Sequence, residues 1–170
     1  MVAGVEIPID RFATATEMAQ TIFGDGVTIV SASYTGDRDS SGIYSDGDTI
    51  SPVVTPSDSG VMLSTGDLRG FTNNTPCQSN QSSSTTTASS GPNNLADFNA
   101  AAGTNTFDAS VLDVDFIPTG DVMTMQFVFA SEEFPEYATG AFQDFVGVWI
   151  NGTQVDMAVG DGDIDPNNLN

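Results

Sequence analysis

The apolar residues of the chain form one segment with a helical period and several short segments with the period of a β-strand. Within residues 14–23 the apolar side chains recur at the i, i+3, i+4, i+7, i+8 spacing of one helix face. They are Ala15, Met18, Ala19, Ile22 and Phe23. Thr14 is a candidate N-cap and Gly24 a candidate stop. The spacing predicts one helix over residues 14–23.

Strand patterns follow the helix. Apolar, β-branched or alternating runs predict strands over residues 27–34, 60–64, 111–117, 122–130, 145–150 and 154–159. The turn sequence at 118–121 predicts that residues 122–130 are the hairpin partner of residues 111–117. Asn151-Gly152, a strong signal for a two-residue turn, predicts the last hairpin. Together these elements predict a mostly β fold, an antiparallel β-sandwich or jelly-roll with one short N-terminal α-helix.

A low-complexity segment interrupts this pattern. Residues 72–94 are rich in Ser, Thr and Asn and almost devoid of large apolar side chains, so they cannot bury a hydrophobic surface. Apolar β segments lie on both sides, which favours a loop within one domain over a linker between two. A length of 170 residues also fits one domain. The predicted organisation is therefore a single domain over residues 1–170 with a loop at 72–94.

Charge and missing residue types exclude several functions. The chain has 23 acidic residues against three basic ones, for a net charge of -20, which disfavours nucleic acid and anionic membranes as partners. It has no histidine and no lysine, so it lacks a Ser-His-Asp triad, a histidine-bound zinc and a phosphate-binding lysine. Carboxylate-based glycoside cleavage remains, by Glu133 or Glu136 with Asp144. In so acidic a chain a pair of carboxylates is weak support for glycoside cleavage, and we predict that the protein is not an enzyme. Cys77, the single cysteine, has no partner for an internal disulfide.

The candidate chemistry is concentrated after the apolar run 127–130. Four acidic residues follow this run within a short distance: Glu132, Glu133, Glu136 and Asp144. Carboxylates crowded beside an apolar strand must protonate, remain solvated or share a cation. Oxygen ligands without imidazole or thiolate groups favour calcium. The alternative is an acidic surface loop in which every side chain reaches water.

Three Asp-rich turns are further candidates for binding cations. Asp161, Asp163 and Asp165 alternate around Gly162, as at the start of a calcium loop, but the order of an EF-hand is missing. We include these three residues with the four acids above as predicted calcium ligands. The turns at 37–39 and 46–48 are interpreted as Asp turns that their own side chains stabilise.

Several ordered blocks resemble one protein family. They are GVMLSTG at 60–66, TFDASVLDVDFIPTGDVMTMQFVFASEEFPEY at 106–137, QDFVGVWING at 143–152 and VGDGDIDPNNLN at 159–170, and the segment ATEMAQTIFGDGVTIVSASYTGD is similar too. With these blocks the chain resembles the choice-of-anchor L domain of bacterial surface and secreted proteins. The resemblance implies an extracellular setting and no established enzyme activity. Members of the family usually continue with more strands, so we expect the domain to be truncated at its C-terminal end.

The predicted function is that of a calcium-stabilised structural or adhesion module of an exported bacterial surface or matrix protein. We expect export without an N-terminal signal peptide, because the first residues lack a basic region and an apolar stretch. We expect no membrane insertion, because no segment approaches the roughly 18 apolar residues of a membrane span. A second chain is expected to complete the sheet, or copies to associate by strand addition. The alternative is a carbohydrate-binding module. Its aromatic platform would come from Tyr34, Tyr44, Phe134, Tyr137 or Trp149.

Overall fold

The computed structural model describes residues 6–68, 89–131 and 144–156, which contain three small antiparallel sheets and three α-helices. The strands are β1 (Ile9–Asp10), β2 (Val27–Thr35), β3 (Ser41–Tyr44), β4 (Gly60–Leu63), β5 (Val111–Pro118), β6 (Trp149–Ile150) and β7 (Thr153–Gln154). The helices are α1 (Ala15–Phe23), α2 (Gly47–Ile50) and α3 (Ala96–Ala102). No helix in these described ranges is long and apolar enough to cross a membrane.

Helix α1 begins and ends with local signals that the sequence carries. Thr14 and Glu17 form a capping box, in which the Thr14 hydroxyl accepts from the Glu17 N–H at 3.2 Å and the Glu17 carboxylate accepts from the Thr14 N–H at 2.7 Å. The helix stops at Gly24, whose φ of 56° favours glycine. Met18 and Ala19 are buried. The predicted helix over residues 14–23 is confirmed.

The first sheet has the strand order β1-β3-β4. Helix α1 contacts β3 and β4 of this sheet and also contacts β2 and β5. In this sheet Gly42 pairs with Met62 of β4, and Ile9 and Asp10 of β1 lie close to it on the other side. A Cβ on Gly42 would lie 2.7 Å from Ile9 Cγ2 and 2.8 Å from the Asp10 carbonyl oxygen. Only glycine therefore lets β1 pack onto β3.

Strands β2 and β5 form a long two-stranded antiparallel ribbon. The pairing runs from Val27↔Pro118 to Thr35↔Val111, with one irregularity between Ile29 and Ser31. The Phe116 ring lies 4.8 Å from that of Phe23, which ties the ribbon to the end of α1.

This pairing corrects the predicted hairpin of residues 111–117 with residues 122–130. The structure pairs β5 with β2 and describes no strand in residues 122–130. The physical reason is that β2 matches β5 along its full length and that α1 packs against both strands. An alternating pattern indicates that a segment can pair but does not indicate which neighbour it pairs with.

The last hairpin is confirmed, although it is shorter than predicted. Trp149 pairs with Gln154 and Ile150 with Thr153. Asn151 and Gly152 have φ values of 50° and 75°, as a type I′ turn requires. Residues 145–148, predicted as strand, are not part of β6, and residues 157–159 lie outside the described ranges.

The predicted mostly β antiparallel fold with a short N-terminal helix is confirmed, and the sandwich arrangement stays a prediction. Helices α2 and α3 and strands β1 and β3 were not predicted, because each is short and none has a clear apolar period. Few apolar side chains are fully buried in the described ranges: Met18, Ala19, Tyr44, Leu68 and Ala109. Met18 and Ala19 are the most buried of these, and they lie on α1, which contacts strands of two sheets.

The turn between β2 and β3 holds both flanks of residues 69–88. On one side the Ser40 hydroxyl donates to the Gly66 carbonyl at 2.8 Å, and the Ser64 N–H donates to the Ser40 carbonyl at 2.9 Å. On the other side the Ser90 N–H and hydroxyl donate to the Asp37 carboxylate at 2.8 and 2.7 Å. The two ends of this segment are therefore fixed to one short turn.

Candidate acidic site at Asp144

Asp144 is the predicted site residue that lies in the described part of the chain. One carboxylate oxygen accepts from the Ser131 hydroxyl at 2.9 Å and the other accepts from the Thr65 hydroxyl at 3.2 Å. Thr65 lies two residues after the end of β4, and Ser131 follows residues 122–130, which come after β5. The half-buried Asp144 side chain therefore joins three distant parts of the sequence.

The other predicted ligands lie outside the described residues. These are Glu132, Glu133, Glu136, Asp161, Asp163 and Asp165. Within residues 6–68, 89–131 and 144–156, no group of three or more acidic or cysteine side chains converges to hold a metal ion. The contact of Ser131 with Asp144 does place Asp144 beside the residue that precedes Glu132 in the chain. The structure thus gives the contacts of Asp144 and does not test whether any of the predicted ligands binds a cation.

An aromatic cluster packs directly behind Asp144. Phe98 of α3 stacks on Trp149 of β6, with ring centroids 5.1 Å apart and planes within 9° of parallel. Phe145, the neighbour of Asp144, meets Phe98 edge-on at 6.3 Å. A side chain at Gly147 would overlap the Trp149 ring. This cluster holds the backbone at residues 144–149, and sequence reasoning missed it because α3 has no strong pattern of its own.

The arginines of the described ranges gather at Asp39. Arg11 Nη1 donates to Asp39 Oδ1 at 2.5 Å, and Arg38 Nη2 lies 3.7 Å from the same oxygen. The Arg38 guanidinium also lies 5.0 Å from the centre of the Phe12 ring, in range for a cation–π contact. Both positive charges are thus engaged at the β2–β3 turn, and neither forms an ion pair with Asp144.

Asp37, in the same turn, is a carboxylate with several donors. Its oxygens accept from the backbone N–H of Asp39 at 2.9 Å and from the N–H and hydroxyl of Ser90. The Asp39 N–H, then the two Ser90 donors, stabilise the charged form and lower the pKa of Asp37 below its ordinary value. The side chain works as a clamp on residue 90 and does not resemble an ion ligand.

This clamp predicts a loss of stability in acid. Because the folded pKa of Asp37 is depressed, its contribution is present above the unfolded pKa of about 3.9 and is lost as the pH falls through the folded value. We expect Asp37→Asn to lower the melting temperature near neutral pH, and the difference from the native protein to shrink in strong acid. Melting curves from neutral pH to about pH 2 measure this. Asp121→Asn, at an exposed carboxylate, is the matched control. A difference independent of pH would contradict the clamp.

The turn at 46–48 is held by backbone contacts. Asp46 adopts a left-handed conformation with a φ of 59°, which Asp tolerates better than most residues. The Gly47 N–H donates to the Asp58 carbonyl at 2.9 Å, and the Asp48 N–H donates to the Asp58 carboxylate at 3.2 Å. These contacts account for the turn without a cation.

Comparison with known proteins places the chain in a family. No curated protein and no solved structure matches it significantly. The family model described as "Choice-of-anchor L domain" matches residues 8–169, nearly the whole chain, which confirms the resemblance seen in the sequence blocks. This is not an enzyme family, and its members are surface-associated or extracellular modules of bacteria. The chain belongs to the choice-of-anchor L domain family.

Proposed function

We propose that this domain is a non-catalytic structural or adhesion module of an exported bacterial protein, and that calcium stabilises it. Family membership supports the surface setting. The absence of histidine and lysine from the sequence removes most catalytic machinery. The observation that carries the calcium proposal is the position of Asp144 against Ser131.

The argument for calcium is one of charge and position. Ser131 precedes Glu132 and Glu133 in the chain, so its bond to Asp144 brings the Asp144 carboxylate to the start of an acidic run. Like charges at such a place raise the free energy of the folded state unless a cation or water compensates them. Arg11 and Arg38 are engaged at Asp39. Calcium, which accepts carboxylate and hydroxyl oxygens in flexible geometry, is the cation that suits this set.

The carbohydrate-binding alternative gains no support from the aromatic residues that the structure describes. Tyr44 is buried, and the Tyr34 hydroxyl donates to the Asp37 carbonyl at 2.9 Å. One face of Trp149 is covered by Phe98, and Gly147 packs closely against the same ring. A sugar platform needs an exposed aromatic face, whereas Tyr44 is buried and Tyr34 and Trp149 are half-buried. Phe134 and Tyr137 lie outside the described residues.

Surface display tests the proposed function. The domain is anchored on a non-adherent bacterium, and attachment to other cells and to matrix is measured with calcium and with chelator. We expect calcium-dependent attachment that Asp144→Asn abolishes and that Asp48→Asn, an exposed acidic control, preserves. Attachment that is the same with calcium and with chelator, and the same in Asp144→Asn, would contradict the calcium proposal. Release of reducing sugar from polysaccharides would contradict a non-catalytic role, and selective binding on a glycan array would favour the alternative.

A further inference from the structure

Residues 122–130, which follow β5 and form no described strand, expose a row of large apolar side chains. Val122 is 85% exposed, Met123 46%, Met125 49%, Phe127 42% and Val128 53%. The sequence VMTMQFVFA alternates and is rich in strand-forming residues, yet the structure describes no strand here. A contiguous apolar surface of this kind on a soluble domain marks a site of association.

The neighbouring strand β5 offers a place for such a segment. In the described ranges β5 pairs only with β2, which leaves the N–H and C=O groups of its second edge without a strand partner. No other described strand lies on that edge. The Thr119 N–H and hydroxyl both donate to the Gly26 carbonyl, at 3.2 and 2.7 Å, so the chain leaves β5 attached to the β2 side.

We propose that residues 122–130 of one copy add as a strand to the free edge of β5 in a second copy of this chain. Within the described ranges each copy carries a segment and a strand edge that pair with no other strand, so reciprocal addition satisfies both and closes a symmetric dimer. The lengths agree, because β5 has eight residues and the segment has nine. Main-chain hydrogen bonds provide affinity, and the apolar side chains lose their exposure to water.

The lack of charge in residues 122–130 is compatible with a second copy as the partner, although the net charge of the chain opposes it. Residues 122–130 contain no charged side chain, so they add no direct repulsion when they approach β5 of another copy. Asp113 and Asp115 lie on one face of β5 and disfavour a second acidic segment there. The overall charge of -20 on each copy still opposes association over long range. Self-association should therefore strengthen as sodium chloride screens that repulsion.

Sedimentation equilibrium of the purified chain tests the proposal. It is run in chelator, so that its outcome does not depend on calcium, over about 1 to 100 μM protein, the range in which a moderate interface is visible. We expect a dimer whose dissociation constant falls with added salt. Met125→Glu should weaken association by at least about tenfold, because it places a charge in the apolar segment. Val53→Glu makes the same charge change at a side chain that is 95% exposed elsewhere, and should leave the dimer intact.

Two proline variants test strand pairing itself. Consecutive N–H groups of a strand point to opposite edges, so Met125→Pro or Gln126→Pro must remove a bond of the proposed ladder. At least one of them should reduce association while the melting temperature stays near that of the native chain. A native chain that is monomeric throughout this range would overturn the proposal. Association that Met125→Glu and both prolines leave unchanged would also overturn it.

Discussion

Excess calcium should raise the melting temperature of this domain by about 5 to 10 °C over that measured in chelator. An ion that binds only the folded state adds RT ln(1 + [L]/Kd), or about 2.7 kcal/mol at a hundredfold excess over Kd. For a domain of this length each kcal/mol corresponds to roughly 2 to 4 °C. Thermal melting followed by circular dichroism measures the shift.

Amide variants locate the ion. Asp144→Asn and Glu133→Gln keep side-chain shape and remove charge, so they should abolish most of the calcium-dependent shift. Asp46→Asn and Asp48→Asn are controls, because the 46–48 turn is held by Asp58 through backbone contacts. Magnesium at the same ionic strength should raise the melting temperature less than calcium does, since magnesium demands a more rigid octahedral site. Superimposable curves with calcium and with chelator would remove the calcium proposal. A shift that depends on Asp46 and Asp48 instead would move the site to the other turn.

Met18→Ala should cost about 2 to 5 kcal/mol of unfolding free energy, the range for deleting a large buried apolar side chain. Met18 is 1% exposed and is among the few large apolar side chains that are fully buried in the described ranges. It lies on α1, which contacts strands of two sheets, so the cavity would open where those elements meet. Denaturant unfolding monitored at the single tryptophan measures the loss.

Ile22→Ala is the matched control on the same helix. Ile22 is 40% exposed, so truncation there removes less buried surface, and alanine also raises helix propensity. We expect a cost below about 1 kcal/mol at this position. Equal losses for the two variants would mean that the α1 face assigned to the core is not the one that stabilises the domain.

The sequence predicted the features whose signals are local. The N-cap at Thr14 and the stop at Gly24 lie within a few residues of the helix that they define. The same is true of Asn151-Gly152, which specifies the turn of the hairpin from two adjacent residues. The pairing of β2 with β5 was missed because it joins segments far apart in sequence, and strand patterns do not encode the identity of a distant partner.

The same distinction between local signals and distant contacts applies to the candidate site. Asp144 was identified from its acidic neighbourhood, but its contacts with Thr65 and Ser131 depend on the tertiary arrangement. The stack of Phe98 on Trp149 is of the same kind, since α3 offers no strong signal in the sequence. The role of Asp37 as a clamp on Ser90 was also not foreseen, because it needs the return of the chain at residues 89–91.

The turn that holds Ser64, Gly66 and Ser90 has a consequence for how this domain can vary. With both ends of residues 69–88 fixed at one place, the entropy of closing the intervening chain grows only with the logarithm of its length. Each doubling costs about 0.6 kcal/mol. The Ser-, Thr- and Asn-rich composition of residues 72–94 predicts that they bury little apolar surface. We therefore expect this interval to accept a longer, shorter or foreign peptide at a small cost in folding free energy, as needed for grafting an epitope or inserting a second domain.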